Sequence, residues 1–317
     1  MTIQPTNLDD LRKVLADASA RGEKVGAINV CALDRVVEHS PEDLTVTVEA
    51  GVTLATLQAQ LAQRGQWLPI DPPRPDSLTI GALLATNASG PRRFGCGTVR
   101  DYLIGIKVAL TDGRLIKSGG KVVKNVAGYD LSKLFVGSRG SLGVIVEATF
   151  KLQPVPEVEQ FVQAYCESLE NAGMLLEGVV AANVTPVVLD LHNLRLHLPQ
   201  RLPAFSLVLG FAGTREEVEW QLGCAAELGF KEPASLDYEK DFRSGELPSP
   251  HRVSVLPSRL IETIRDLRNA PFVARAGNGV IYWRGEAIPP KDGRPIELTR
   301  RVKAAFDPKH ILPELSP

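Results

Sequence analysis

The residues best suited to ligand chemistry in this chain are its small ones. From Asp71 to Asp101 the sequence reads DPPRPDSLTIGALLATNASGPRRFGCGTVRD, a loop-rich run of prolines, glycines and short side chains. Glycine lets main-chain N–H groups approach a ligand closely and adopt positive φ, and successive N–H groups in such loops form concavities that favour anions. A second run, Lys121–Leu152, contains GSRGSLG, with three glycines in seven residues, and twelve of the 27 glycines fall between Gly81 and Gly143. The chemistry implied is the holding of a phosphate-bearing ligand. The competing account is that glycines at tight β-corners serve any compact α+β fold.

Other chemistries have little support. Cys31, Cys96, Cys166 and Cys224 are far apart with no C-x-x-C pair, which argues against a zinc or iron–sulfur site, so no metal is expected. His192 and His197 in LHNLRLH are spaced for opposite faces of a strand and read as a polar strand edge or turn. A formal net charge of −1 gives no electrostatic reason to expect nucleic acid or an anionic membrane as partner. The opening MTIQPTNLDDLRKVL is acidic early and lacks an apolar run, and no stretch approaches the ~20 apolar residues of a membrane span. A cytoplasmic protein with no direct membrane insertion is the expectation.

The elements that must position the glycine-rich runs follow from periodicity. Leu8, Leu11, Leu15 and Ala18 have helical spacing behind a Thr6-Asn7 cap, and Gly22 ends that helix. Lys24–Val30 reads as a short strand, ALDRVVEHSPED as a connection, Leu44–Glu49 as a half-buried strand and Thr53–Gln63 as a helix. Tyr102–Leu110 and Leu115–Lys117 form a hairpin about Asp112-Gly113, Tyr129-Asp130 opens a short helix through Phe135, and Val144–Leu152 is a long strand. Beyond QPVP at Gln153–Pro156, strands at Val158–Tyr165, Pro186–Leu191, Phe205–Phe211, Arg252–Leu256 and around Phe272–Tyr282 alternate with helices at Leu169–Ala181, Arg215–Leu228 and Arg259–Leu267. That order suits helices on one face of an antiparallel sheet.

Six motifs carry a resemblance beyond spacing: PEDLTVTVEAG at Pro41–Gly51, LPIDPP at Leu68–Pro73, TIGALLATNASGPRRFGCGTVRD at Thr79–Asp101, KNVAGYDLSKLFVGSRGSLGVI at Lys124–Ile145, VLPSRL at Val255–Leu260 and KAAFDPKHIL at Lys303–Leu312. On these the chain resembles the FAD-binding (E) subunits of bacterial glycolate oxidase, within the vanillyl-alcohol oxidase / p-cresol methylhydroxylase flavoprotein superfamily. The resemblance implies an α+β fold in which two subdomains hold an extended FAD beneath an antiparallel-sheet cap. Residues 1–153 would form the FAD-binding domain, 154–300 the cap and 301–317 a C-terminal tail.

Carried over position by position, the resemblance assigns Thr79, Gly81, Asn87, Ser89 and Gly90 to the loop around the FAD diphosphate and flavin. Gly97, Thr98 and Asp101 lie just beyond it, and Gly140, Gly143, Val144 and Ile145 form the segment meeting the adenosine and ring portions. Arg92 and Arg93 either neutralise diphosphate charge or are solvated loop residues. Three departures stand out: Ala82 where relatives have a second glycine after T-I-G, Arg139 where many have an acidic residue, and no glycine-rich R-G-G-G-[ST] loop near the N-terminus, where GEKVGAINVCALDRVVEH passes almost directly between strands. Losing about two charge-assisted hydrogen bonds of ~1.5–3 kcal/mol each would weaken FAD binding roughly 10²–10⁴-fold. Non-covalent and weakened FAD binding is therefore expected.

No histidine in the second half is placed as a general base, and no catalytic residue is named. The resemblance implies an auxiliary FAD-dependent oxidoreductase subunit, partnered by a larger homologous flavin subunit and an iron–sulfur subunit that takes the electrons. The alternatives are a scaffold that has lost the cofactor and a self-sufficient 2-hydroxy-acid dehydrogenase.

Overall fold

The structure, a computed structural model, describes residues 3–120, 131–194, 204–244, 250–268, 270–286 and 296–314. Two compact units form, one from Met1–Ala88, Thr98–Val155 and Asp292–Pro317 and one from Ser89–Gly97 and Pro156–Lys291. The motif residues Lys124–Asp130, with the expected opening of a helix at Tyr129-Asp130, and His197 lie outside the described residues.

In the first unit, α1 (Leu8–Arg21) buries Leu11, Leu15 and Ala18, as its spacing demands. The Asn7 side chain caps it by accepting from the Asp10 N–H at 2.9 Å, and Gly22 closes it at φ 67°. The expected strand Lys24–Val30 does not form: residues 23–35 carry only one parallel bridge, between Ile28 and Ile3. The reason lies in the partners. Val25 N–H donates to Ile311 O (2.7 Å) and Asn29 N–H to Ile3 O (2.9 Å), so this run is held by single segments from elsewhere in the unit and has no strand to extend a ladder. The stretch read as a connection instead supplies β1 (Val36–Ser40), antiparallel to β2 (Thr45–Glu49).

β2 is buried along its whole length rather than half-buried. Its outward polar residues are satisfied locally: Thr47 Oγ1 meets Thr149 Oγ1 at 2.9 Å across the ladder, and Glu49 takes a bidentate hydrogen bond from Arg35. After α2 (Leu54–Ala62), the glycine-rich stretch itself contains a helix, α3 (Ile80–Thr86), and two single helical turns at Arg93–Cys96 and Val99–Tyr102. Ile80, Leu83 and Leu84 place an apolar i, i+3, i+4 face in the core, which outweighs the small residues between them. The hairpin β3 (Leu103–Ala109) and β4 (Leu115–Gly119) turns at Gly113, φ 78°, and β5 (Val144–Lys151) completes a sheet in the antiparallel order β1-β2-β5-β3-β4. The expected tail contains a helix, Ile296–Phe306, which packs in this unit.

The second unit is a seven-stranded antiparallel sheet. Its main elements are β6 (Val158–Cys166), α4 (Leu169–Ala181), β7 (Val188–His192), β8 (Phe205–Gly213), α5 (Arg215–Glu227), α6 (Asp237–Ser244), β9 (His251–Ser254), α7 (Leu260–Asp266), β10 (Phe272–Arg275) and β11 (Val280–Trp283). Strand order is Glu232–Pro233, then β6-β8-β7-β10-β11-β9. One face, with Leu207, Leu209, Phe211, Leu189, Leu191, Phe272 and Ile281, shares a core with α4, α5 and α7. On the other, Val208 and Val273 pack against Tyr238 and Phe242 of α6. Helix α6 was not expected from the sequence.

Candidate functional site

The first unit contains a cavity of about 460 Å³ whose wall is mostly main chain and small side chains. Three segments build it. The run Gly26–Cys31 forms one side, with Leu312 and Pro313 beside it; Thr79, Gly81, Ala82 and Ala85 of α3 form another; Arg139, Gly140, Gly143, Val144 and Ile145 form the third. Of the residues named from the sequence, the structure brings Thr79, Gly81, Gly140, Gly143, Val144 and Ile145 together around this cavity.

Local structure explains these positions. Thr79 caps α3, its hydroxyl accepting from Ala82 N–H at 3.2 Å. Gly81 sits so close to Ala50, the residue after β2, that a Cβ would lie 3.1 Å from Ala50 Cβ and 3.2 Å from Ala50 O. Gly140 is the opposite case: at φ 75°, a Cβ there would meet nothing within 4 Å. Main chain at Gly140 is therefore open to a ligand while Gly81 is small for packing.

The remaining expected residues have other surroundings. Asn87 ends α3 in the left-handed region at φ 49°, and its Oδ1 is buried without a hydrogen-bond partner among the described residues. Thr98 and Asp101 do not line the cavity; the Thr98 N–H and hydroxyl donate to Asp101 Oδ2 at 2.8 and 3.0 Å and start a helical turn. Ser89, Gly90 and Gly97 belong to the second unit. There the Ser89 hydroxyl accepts from Arg93 Nη1 at 3.1 Å, and Gly97 ends the turn Arg93–Cys96 at φ 81°. Arg92 pairs with Glu159, its Nε 2.6 Å from Oε1, and lies over the Phe161 ring. Its charge is thus compensated inside that unit.

Hydrogen-bond accounting separates the donors a ligand could use from those it could not. The N–H groups opening α3 are taken: Ile80 by Val52 O, Gly81 by Ala50 O, Ala82 by Thr79 Oγ1 and Leu83 by Thr79 O. Gly26, Ala27, Ile28, Val30 and Gly140 donate no N–H hydrogen bond among the described residues. Among the described lining residues only Arg139 is formally charged. The sequence reading missed the Gly26–Cys31 wall and Arg139; the one signal available was the unusual basic residue inside GSRGSLG.

In the second unit, α6 covers a buried ionic cluster. Arg275, 1% exposed, pairs with Asp190 and, at 2.7 Å, with Glu239, while Glu239 also pairs with Arg243. The Tyr238 hydroxyl donates to Asp190 Oδ2 at 2.6 Å, and the His192 ring stacks on Tyr238 with centroids 4.5 Å apart. His192 Nδ1 accepts from Leu194 N–H, which puts the proton of the neutral ring on Nε2. Burial raises Asp190 to about 6, against the pull of Arg275 and the Tyr238 hydrogen bond. Burial alone lowers His192 to about 4.

These shifts oppose each other in stability. A raised carboxyl contributes stability below its unfolded value and loses it as pH rises through its folded one; a lowered imidazole contributes above its unfolded value and loses it as pH falls. Between pH 4 and pH 6.5 the two slopes, each worth about 3 kcal/mol, nearly cancel. Relative to wild type, Asp190→Asn should gain about 3 kcal/mol on raising the pH across that window, and His192→Gln should lose about as much. Urea unfolding at a series of pH values measures both; parallel curves for the three proteins would contradict the assignment.

The histidines of the described residues are otherwise structural where their contacts are seen. His39 Nε2 meets Gln66 Oε1 at 2.9 Å, and His251 Nε2 meets Gly285 O at 3.0 Å. No group of three or more His, Cys, Asp or Glu suited to a metal occurs among the described residues, and none of their helices is long and apolar enough to cross a membrane.

Comparison with known proteins gives the cavity a context. Residues 23–119, which include the Gly26–Cys31 wall and α3, match the family model described as FAD binding domain. This part of the chain is an FAD-binding domain. The relatives of the chain include glycolate oxidase subunit GlcD of Bacillus subtilis (strain 168), 33% identical over 207 residues, covering 59% of this chain and 44% of that protein. Glycolate oxidase subunit GlcE of Escherichia coli (strain K12) is 43% identical over 122 residues, covering 38% of this chain and 35% of that protein. The matches thus span less than half of either relative. Among solved structures, alkyldihydroxyacetonephosphate synthase superposes with a TM-score of 0.73 over 98% of this chain and 75% of that one, at 17% identity. The fold is the α+β, p-cresol methylhydroxylase type of FAD-binding fold.

The residues of the FAD-binding domain fit that cofactor. The N–H groups of Gly26, Ala27, Ile28 and Val30, without a partner among the described residues, the open main chain at Gly140 and the Arg139 guanidinium suit an anion, and the apolar wall of Val144, Ile145 and Leu312 suits a flat ring.

Proposed function

We propose that this chain is an FAD-binding auxiliary subunit of a complex that oxidises glycolate or a related 2-hydroxy acid. The observation that carries the proposal is the cavity of the FAD-binding domain, where the T-I-G segment, the G-S-R-G-S-L-G loop and the Gly26–Cys31 run converge. Of the residues named from the sequence, Thr79, Gly81, Gly140, Gly143, Val144 and Ile145 would line the cofactor directly. Asn87, Thr98 and Asp101 of the same unit are proposed to complete its surroundings. FAD, when bound, accepts two electrons from a substrate or carrier and releases them singly or in pairs. The protein's part is to orient the cofactor and exclude water, and Val144, Ile145 and Leu312 supply the apolar surface for that.

The auxiliary role rests on the second unit, proposed as the cap. Its buried His192 is neutral and stacked on Tyr238, and Arg275 is committed to Asp190 and Glu239, so neither is arranged as a base or a carboxylate anchor for substrate. Substrate oxidation is accordingly assigned to a larger homologous flavin subunit, with electrons leaving through an iron–sulfur subunit. The complex is placed in the cytoplasm, with any membrane attachment made through those partners.

Purified alone, the chain should show flavin absorbance or acquire it on adding FAD, and should not reduce a dye with glycolate. The scaffold reading draws on one observation, that every N–H opening α3 is consumed internally, and requires a colourless protein that takes up no FAD. Glycolate-dependent dye reduction by the isolated chain would replace both with a self-sufficient dehydrogenase.

A further inference from the structure

Position 139 is built for glycine and occupied by arginine. Its φ of 52° lies in the left-handed region, which disfavours a side chain with a Cβ. The surrounding loop nevertheless fixes that conformation: Arg139 N–H donates to Ala85 O at 2.8 Å, Gly137 N–H to Leu84 O at 2.9 Å and Ser141 N–H to Ser138 O at 3.0 Å. The Arg139 side chain is exposed and forms no hydrogen bond or ion pair among the described residues. It therefore adds backbone strain and returns no hydrogen bond or ion pair among the described residues.

The same side chain supplies the one formal charge on the cavity wall among the described residues. A diphosphate in that cavity would find the start of α3 already hydrogen-bonded, and the N-terminal segment Gly26–Cys31 offers main-chain dipoles but no cation. A guanidinium presents several donors in a planar fork that matches phosphate oxygens. We propose that Arg139 is the counter-charge of the FAD diphosphate in this chain, a specific binding residue that offsets the missing glycine-rich N-terminal loop. This rests on the reading of the cavity as the FAD site.

Separating the phosphate contribution from that of the ring tests the proposal. FAD and riboflavin, which share the ring while riboflavin lacks both the diphosphate and the adenosine, are titrated into wild type, Arg139→Ala, Arg139→Lys and Arg139→Gly with flavin fluorescence as readout. Arg139→Ala should weaken FAD binding roughly 10–100-fold, the worth of one charge-assisted contact, and leave riboflavin binding unchanged. Arg139→Lys should retain part of the FAD affinity, and added salt should weaken FAD binding more in wild type than in Arg139→Ala. Arg139→Gly should melt at a higher temperature than wild type while binding FAD as poorly as Arg139→Ala. If wild type binds FAD and Arg139→Ala binds it equally well, the proposal is overturned and the cofactor site stands. Equal losses for FAD and riboflavin would also overturn it, because the residue would then be shaping the cavity. A wild-type protein that binds neither flavin overturns the cofactor reading and this proposal with it.

Discussion

Replacing Lys303 by Met should destabilise the first unit by about 3–5 kcal/mol, the usual result of breaking a buried ion pair from one side. Lys303 is 3% exposed, and its ammonium uses every donor: it pairs with Asp307, donates to Ser141 O at 2.9 Å and to Leu312 O at 3.2 Å. Asp307, fully buried, also accepts from Ile311 N–H at 3.0 Å and Leu312 N–H at 2.9 Å. Methionine fills similar volume but leaves the Asp307 carboxylate without a cation and two carbonyls without a donor. The midpoint of urea unfolding checks this, and an unchanged midpoint would refute it. Pairing Lys303→Met with Asp307→Leu should recover part of the loss, since the uncompensated charge is then gone. FAD affinity should fall with stability in the single variant. Ser141 and Leu312 are the points where the lock meets the cavity wall, one between Gly140 and Gly143 and the other lining it directly.

The KAAFDPKHIL motif thus has a physical explanation that its sequence conceals. Lys303 and Asp307 are four apart on or just beyond a helix, a spacing that says nothing of burial; the carbonyls of Ser141 and Leu312, brought from 162 residues upstream and nine downstream, make the site a buried one. Periodicity was informative where one element faces one core. Helix α1, the hairpin β3–β4 and the sheet strands of the second unit all follow their patterns, since a single apolar face determines each. It misled at Lys24–Val30, whose alternation suits a strand but whose neighbours are isolated segments at Ile3 and Ile311. It was silent at α3, because Gly81, Ala82 and Ala85 dilute the apolar spacing, and at α6, whose apolar contribution is only Tyr238 and Phe242.

The candidate site divides the same way. Thr79, Gly81 and the Gly140–Ile145 segment were legible because small residues and glycines cluster in sequence. The Gly26–Cys31 wall was not, since what places it against the ligand cavity is its hydrogen bonding to Ile3 and Ile311 and no local motif. A lost glycine-rich loop looked like a gap in the site. The structure puts main chain there instead, with N–H groups that have no other partner among the described residues.

The second unit should depend as strongly on Arg275. Substituting Met removes the guanidinium shared by two buried carboxylates, leaving, among the described residues, Asp190 with the Tyr238 hydroxyl and Glu239 with Arg243. A loss of about 3–5 kcal/mol is expected at neutral pH. The loss should be smaller below about 6, where Asp190 is protonated already and there is less buried charge to strand. Arg275→Lys should not rescue it, because an ammonium is a point charge and cannot bridge Asp190 on β7 and Glu239 on α6 as the planar fork does. Adding Asp190→Asn to Arg275→Met should restore much of the stability, as amide and hydroxyl can still hydrogen-bond without an unpaired charge. Urea unfolding of these variants on either side of that pH distinguishes a charge lock from simple packing. A cost for Arg275→Met that is independent of pH and of residue 190 would mean that the volume of the side chain, and not its charge, holds α6 against the sheet.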